Sequence, residues 1–298
     1  MVLGIIPNTS KENVFKILND LITNLKKENI DFIISETVKE LEEVSDNYLK
    51  EIKLYPNNKI AEHCDIVISI GGDGTLLQTA YDTRFSSTPL LGLNYGKLGF
   101  LAEFDINNME ELIYHLKKDD LIIEDRNALE AICTSEKSEK LYAINDVVID
   151  RGRYPKMIEI TILVDDEYVA TFSADGIIVA TPTGSTGYSL STGGPIVNPK
   201  TKSITLSPIS PHTLTMRPVV ISSNQKVTIK ATSPYETIQV ICDGQRVEYY
   251  KPTAIIEITR SENNLRLIHK SKKHYYEILR KKLFWGIDIR NPNNGVNK

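Results

Sequence analysis

Ile66-Val67-Ile68-Ser69-Ile70-Gly71-Gly72-Asp73-Gly74-Thr75 is the stretch that decides the fold of the first half of this chain. Its first five residues form a β-branched run with little alternation, as expected of a strand covered on both faces by helices. A glycine-rich turn follows at once, and helical character resumes from Thr75 to Tyr81. In open α/β sheets ligands gather at the carboxyl ends of strands, so this turn places the Asp73 carboxylate at a binding crevice. Glycines on both sides let phosphates approach the backbone closely, and their amides can donate to those phosphates. The competing reading is a tight strand-to-helix turn in which Asp73 only caps the following helix.

The segments on either side repeat the alternation. Val2 to Ile6 reads as a first strand, and Val14, Ile17, Leu18, Leu21, Ile22 and Leu25 recur at helical spacing behind Ser10 as N-cap. Residues 30 to 34 and Pro89 to Leu93 give further strands. Strands alternating with amphipathic helices produce a parallel sheet, so residues 1–122 are expected to form an α/β domain. After about residue 122 the texture changes to valine, isoleucine, threonine and tyrosine runs separated by turns, the pattern of an all-β domain over 123–272. Asp165-Asp166-Glu167 and Asp243-Gly244 sit between alternating segments, and the latter is a strong hairpin signal because those residues tolerate positive φ. His274 to Trp285 returns to a helix-compatible pattern, so 273–298 is expected to pack back on the first domain, with Asn291 to Gly295 as a frayed tail.

Composition narrows the function. The 298 residues are 41% hydrophobic and 25% charged, the balance of a globular protein with two cores. A net charge of -4 supplies no bulk field for nucleic acid or an anionic membrane, so a polyanionic ligand has to be held locally. Cys64, Cys133 and Cys242 are scattered and form no CxxC pair, which argues against a disulfide framework or structural zinc and fits a reducing cytoplasm. No apolar run approaches the length that crosses a bilayer. The basic residues Lys270, Lys272, Lys273, Arg280, Lys281 and Lys282 read as a solvated helix face.

A second stretch with chemical content is Asp175-Gly176-Ile177-Ile178-Val179-Ala180-Thr181-Pro182-Thr183-Gly184-Ser185-Thr186-Gly187-Tyr188-Ser189-Leu190-Ser191. It sets hydroxyls, glycines and one tyrosine directly after an apolar strand, and carries no charge beyond Asp175. Uncharged hydroxyls and amides suit base edges and ribose, and Tyr188 offers a ring or a hydroxyl. A polar solvent loop would explain the hydroxyls but not the absence of charge. Asn145-Asp146 interrupts the apolar run Leu141 to Ile149, which makes the pair either a bulge or a ligand contact. There is no GxxxxGK[ST], no GxGxxG after a strand and no HRD loop, so P-loop enzymes, ordinary dehydrogenases and protein kinases are excluded. The five histidines are not spaced as metal ligands.

Taken together, the Gly71-Gly72-Asp73-Gly74-Thr75 turn, the Asn94 to Leu101 loop, Asn145-Asp146, the Thr181 to Pro195 stretch and Ser207-Pro208-Ile209-Ser210-Pro211-His212 resemble, in this order, bacterial NAD kinases of the ATP-NAD kinase family, from about residue 66 to about 250. The turn alone also resembles that of diacylglycerol-type lipid kinases, but a lipid kinase needs an apolar pocket, and the second stretch is rich in hydroxyls. A non-catalytic dinucleotide sensor is the other alternative, against which the intact Asp73 argues. The resemblance implies transfer of the γ-phosphoryl group of ATP to the 2′-hydroxyl of the adenosine ribose of NAD, with Asp73 taking the hydroxyl proton and Gly74 beside it. It implies substrate contacts at Asn145, Asp146, Lys156, Ser173, Asp175, Thr186, Gly187, Tyr188, Ser189, Leu190, Ser191 and Gln245. It also implies Mg²⁺ or another divalent cation carried with ATP, a cytoplasmic protein, and a homo-oligomer, dimer or tetramer. Gly187 stands where the family usually has alanine, and Lys156 where arginine is expected, which weakens a bidentate phosphate contact.

Overall fold

A computed structural model describes residues 1–45, 50, 52–96, 99–270 and 275–286. The chain divides into two units, one of Met1–Thr79, Thr88–Glu124 and Arg266–Lys298, the other of Ala80–Ser87 and Asp125–Leu265.

The first unit is built on an eight-stranded sheet. Strands β1 (Val2–Pro7), β2 (Asp31–Ser35), β3 (Leu54–Tyr55), β4 (Ile66–Gly71), β5 (Leu90–Asn94), β6 (Phe104–Asp105), β7 (Ile122–Arg126) and a late strand, β20 (Leu265–His269), follow the order β3-β2-β1-β4-β5-β20-β7, with β6 paired to β5. The pairings of β1 with β2 and β4, of β2 with β3, and of β5 with β4, β6 and β20 are all parallel. Helix α1 (Val14–Lys27) lays Val14, Leu18, Leu21, Ile22 and Leu25 into the core beside Leu3, Ile5, Ile68 and Ile70, and α3 (Met109–Lys118) adds Leu112, Ile113 and Leu116. Between them in sequence lies α2 (Asp73–Asp82). The chain moves outward from β1 to β2 and β3, then returns to β4 and proceeds to β5 on the other side. The direction of winding therefore reverses between β1 and β4, and a crevice opens at the carboxyl ends of two such strands.

Three expectations change here. Ser10 is not the cap of α1: Asn13, in the left-handed region at φ 58°, precedes the helix without a capping side-chain bond, and the Ser10 hydroxyl donates to Asn8 Oδ1 at 2.7 Å. Residues 265–269, placed in the second domain by their β texture, instead pair in parallel with β5. Their attachment is polar: His269 Nδ1 lies 2.8 Å from the buried Glu103 carboxylate, and Lys270 reaches Glu111 at 2.5 Å. Lys270 is thus drawn into the fold rather than solvated, whereas Lys272, Lys273, His274 and the Asn291 to Gly295 tail lie outside the described residues. The late helix α5 runs Tyr275–Leu283.

The second unit contains two six-stranded antiparallel sheets. The strands are β8 (Leu129–Cys133), β9 (Leu141–Ala143), β10 (Asp146–Asp150), β11 (Ile158–Val164), β12 (Glu167–Ala174), β13 (Gly176–Ala180), β14 (Ser203–Ile209), β15 (Val219–Ser222), β16 (Val227–Thr232), β17 (Ile238–Cys242), β18 (Arg246–Tyr250) and β19 (Ala254–Arg260). One sheet is ordered β15-β14-β13-β10-β17-β18 and the other β12-β11-β16-β19-β8-β9. Val147, Ile149, Ile177, Val179 and Val240 of the first meet Leu129, Ile160, Ile229, Ile256 and Ile258 of the second in one apolar core. The expected hairpin at Asp243-Gly244 forms, with these residues at φ 54° and 66°, and a second hairpin joins β11 to β12 with Asp165 and Asp166 at φ 50° and 66°. Cys64, Cys133 and Cys242 are free thiols.

Candidate active site

In the first unit, Ile66 to Gly71 emerges as β4 and Asp73 opens α2. Ser69 anchors the start of this turn through a buried hydroxyl contact with Thr79 at 2.9 Å, and Asn8 Nδ2, at the end of β1, donates to Thr75 Oγ1 at 2.8 Å. The Asp73 carboxylate is turned away from its own helix. Oδ2 accepts from the Phe100 amide at 2.7 Å, and Oδ1 from those of Leu101 and Ala102 at 3.0 and 3.1 Å. A Cβ on Gly99 would overlap this carboxylate, so only glycine allows the loop after β5 to approach so closely. A carboxylate offers about four acceptor positions, and among the described residues three amides donate to it here. Gly74 is exposed, and a side chain on Gly72 would enter open space, so ligand can reach the turn.

In the second unit, Asn145 and Asp146 do not interrupt a strand. β9 ends at Ala143 in one sheet and β10 begins at Asp146 in the other, so Ile144 and Asn145 form the crossing between sheets. Backbone amides freed by such a crossing need acceptors. Asp243 supplies them: its fully buried side chain accepts from Ile144 N at 3.0 Å, Asn145 N at 2.7 Å and Asp146 N at 3.3 Å. Arg246 Nη2 then donates to Asp243 Oδ2 at 2.7 Å and to the Tyr142 carbonyl at 3.1 Å. The Arg246 guanidinium lies 4.1 Å from the Tyr81 ring centre, while Arg84 lies 4.0 Å from it.

The loop after β13 packs on this corner. Thr181 N donates to Asn145 O at 2.9 Å, and the Thr181 hydroxyl to Ile144 O at 2.6 Å. Gly184 sits against the Asn145 backbone so closely that any Cβ would overlap it. Part of the hydroxyl richness noted in the sequence is therefore internal. Ser185 bonds Pro182 O and receives the Val197 amide, and Ser189, fully buried, meets Ser207 at 2.9 Å. Gly187, Tyr188 and Ser191 are exposed and Thr186 and Leu190 half-buried, so these face outward from the helical turn α4 (Tyr188–Ser191). An alanine at Gly187 would meet the Gly184 carbonyl at 3.2 Å and Asp146 Oδ2 at 3.9 Å, a fit needing only a small shift.

The electrostatics single out Asp146. Burial, and then the Asp243 carboxylate, push its carboxyl up to about 7. Burial also raises Asp243, against the opposing amides of Ile144 and Asn145 and the Arg246 charge. Tyr188 is raised by burial and by the fields of Asp150, Asp175 and Asp146. Asp175 is ion-paired with Arg151 Nε at 2.6 Å. Gln245 follows Asp243 in the hairpin, its amide bonded to Cys242 O at 3.0 Å. Ser173, at the end of β12, and Lys156, in the β10–β11 loop, are both exposed. The second unit thus gathers Asn145, Asp146, Gln245 and the Thr186 to Ser191 turn around one corner. Asp243 had been read only as a turn residue, and Arg246 and Arg151 carried no signal at all, because their roles arise from contacts distant in sequence.

Comparison with known proteins fits this geometry. Residues 3–121 match the ATP-NAD kinase N-terminal domain and residues 144–270 the ATP-NAD kinase C-terminal domain. The NAD kinase of Chloroherpeton thalassium is 36% identical over 96% of this chain and 98% of its own length. That of Prosthecochloris aestuarii is 43% identical over 76% of this chain and 80% of its own length. The chain belongs to the ATP-NAD kinase family. Its fold is shared with a yeast NADH kinase solved with NADH (TM-score 0.87, 23% identity, covering 100% of this chain and 90% of that one). An Archaeoglobus fulgidus NAD kinase solved with ATP gives a TM-score of 0.73 at 24% identity, covering 95% and 99%.

Proposed function

We infer that this chain is an ATP-dependent NAD kinase that makes NADP. The observation that carries the reading is the near full-length identity with proteins named NAD kinase, spread across both units. The 2′-hydroxyl of the adenosine ribose attacks the γ-phosphorus, the bond from that phosphorus to the β–γ bridging oxygen breaks to release ADP, and the hydroxyl proton passes to Asp73, whose carboxylate is oriented by the Phe100, Leu101 and Ala102 amides. Exposed amides of the glycine turn receive phosphate oxygens. Asn145, Asp146 and the outward groups of the Thr186 to Ser191 turn hold the acceptor, and Lys156, Ser173, Asp175 and Gln245 complete the binding set.

Among the described residues no group of three or more His, Cys, Asp or Glu is arranged to hold a metal ion. In this reading a divalent cation is carried in with ATP and offsets charge on the transferred phosphoryl group, because the glycine turn supplies few cations of its own. Neither a lipid kinase nor a silent sensor gains support from the family matches. Among the described residues no helix is long and apolar enough to cross a membrane. We also propose a cytoplasmic homo-oligomer, dimer or tetramer, in which α5 packs on the first unit through its buried Ile278 and Leu279.

A matrix of ATP or polyphosphate against NAD, NADH and NADP, following formation of the 2′-phosphate, tests the reading. Turnover of NAD with MgATP is expected. Its absence in folded protein, with phosphate transferred to diacylglycerol instead, would overturn the assignment.

A further inference from the structure

We propose that Asp243 and Arg246 are a positioning pair for the acceptor-binding corner: Asp243 gathers the amides of Ile144, Asn145 and Asp146, and Arg246 holds Asp243 in that pose. This inference rests on the reading of Asn145 and Asp146 as acceptor contacts. Neither residue touches substrate; each acts through the crossing between the two sheets.

Three consecutive amides converging on one buried carboxylate is a demanding arrangement. The crossing at Ile144–Asn145 joins β9 of one sheet to β10 of the other, and neither sheet's ladder can satisfy those N–H groups. Asp243 reaches them because its own backbone is left-handed, at φ 54°, in the turn between β17 and β18. Its amide also donates to the Asp146 carbonyl at 3.0 Å, so turn and crossing are tied in both directions. Arg246 is the only described cation in direct contact with this carboxylate, and its position is set independently by the Tyr142 carbonyl and the Tyr81 ring.

The arrangement also affects the chemistry of Asp146. Its carboxyl shares the field of Asp243 and Cys242 at the β17–β18 hairpin and of Tyr188 in α4, and Arg246 reaches it only through Asp243. Burial makes ionisation of Asp146 harder, and the Asp243 charge adds to this. A ribose hydroxyl donates better to an ionised carboxylate than to a neutral carboxyl, so NAD affinity is expected to rise with pH through about 7 in the parent enzyme.

The test is calorimetry of NAD binding between pH 5.5 and 8.5, with steady-state kinetics for both substrates, in the parent, Asp243→Asn and Arg246→Lys. Turnover by the parent checks the kinase reading separately: a parent that does not phosphorylate NAD fails that reading, whatever the variants do. Asp243→Asn should weaken NAD by roughly 10- to 100-fold, the scale of a lost charge-assisted bond, leave KM for ATP unchanged, and move the pH midpoint of NAD affinity downward. Arg246→Lys keeps a charge but cannot hold Asp243, the Tyr142 carbonyl and the Tyr81 ring together, so a smaller loss confined to NAD is expected. That variant decides the matter if Asp243→Asn does not fold. The proposal is overturned if folded variants keep parental NAD affinity and the parental pH midpoint, or if both substrates weaken equally.

Discussion

At the scale of the residue, two aspartates do different work under different constraints. Asp73 is the proposed base and also the post to which the 100–102 loop is tied, so its replacement is expected to have two effects. Asp73→Asn can still accept through its single oxygen, but turns an NH₂ group on one of the three amides. Turnover of NAD should drop by about two to four orders of magnitude, the scale of general-base catalysis. Stability should fall by roughly 1–3 kcal/mol for the unpaired donors, so rates have to be compared well below the lowered Tm. A folded variant with near-parental turnover would remove Asp73 from the mechanism. Asp146 makes a prediction about pH. Its carboxyl ordinarily ionises near 3.8 and is raised to about 7 in the fold, so the folded state binds more protons than the unfolded state across that window. Stability is therefore lost as pH rises through the window. Asp146→Asn escapes this loss, and its Tm relative to the parent should climb from pH 4 to pH 8, by roughly 2–4 °C for each kcal/mol recovered. A difference that does not vary with pH would show that Asp146 does not titrate there.

At the scale of the element, the Thr181 to Ser191 loop divides its polar groups between internal bonds and an exposed face, the face proposed to hold the ligand. Ser185 and Ser189 are consumed internally, and Gly184 admits the Asn145 backbone, which leaves Tyr188 as the large outward group of the turn. Removing its ring with Tyr188→Ala should weaken NAD by about 1 to 3 kcal/mol, the scale of stacking on an aromatic side chain. Tyr188→Phe separates ring from hydroxyl: a small loss assigns the energy to stacking, a loss near that of alanine to the hydroxyl. Calorimetry without ATP reads both. At 47% exposure the tyrosine contributes little to the core, so parental NAD binding together with a fall of several degrees in Tm would contradict its placement in the site.

At the scale of the whole molecule, the chain leaves the first unit and comes back. β20 lies between β5 and β7 in the sheet, held by the His269–Glu103 and Lys270–Glu111 contacts. A chain ending at Asn264 would expose one side of β5 along its backbone and strip a buried strand bearing Leu267 and Ile268 from the sheet. Such a truncation should lose cooperative unfolding of the first unit in calorimetry while keeping β-rich circular dichroism from the second. A truncated protein that melts like the parent would show that β20 is dispensable.

Much of this was legible in the sequence because it depends on neighbours along the chain. An uninterrupted β-branched run followed by Gly71-Gly72-Asp73-Gly74 specifies a buried strand with a ligand-facing turn, since periodicity and glycine chemistry act over a few residues. Asp243-Gly244 specifies its hairpin in the same local way. The residues of the Thr186 to Ser191 turn were legible through resemblance. Only the tertiary structure decided that Ser10 does not cap α1, that 265–269 joins the first sheet, and that Asn145-Asp146 marks a crossing rather than a bulge. Those outcomes depend on which distant strand offers an open edge and which distant carboxylate can reach orphaned amides. The pairing of Asp243 with residues 144 to 146, nearly a hundred positions away, exists only once two sheets have packed face to face, because no local pattern encodes the partner of a buried charge.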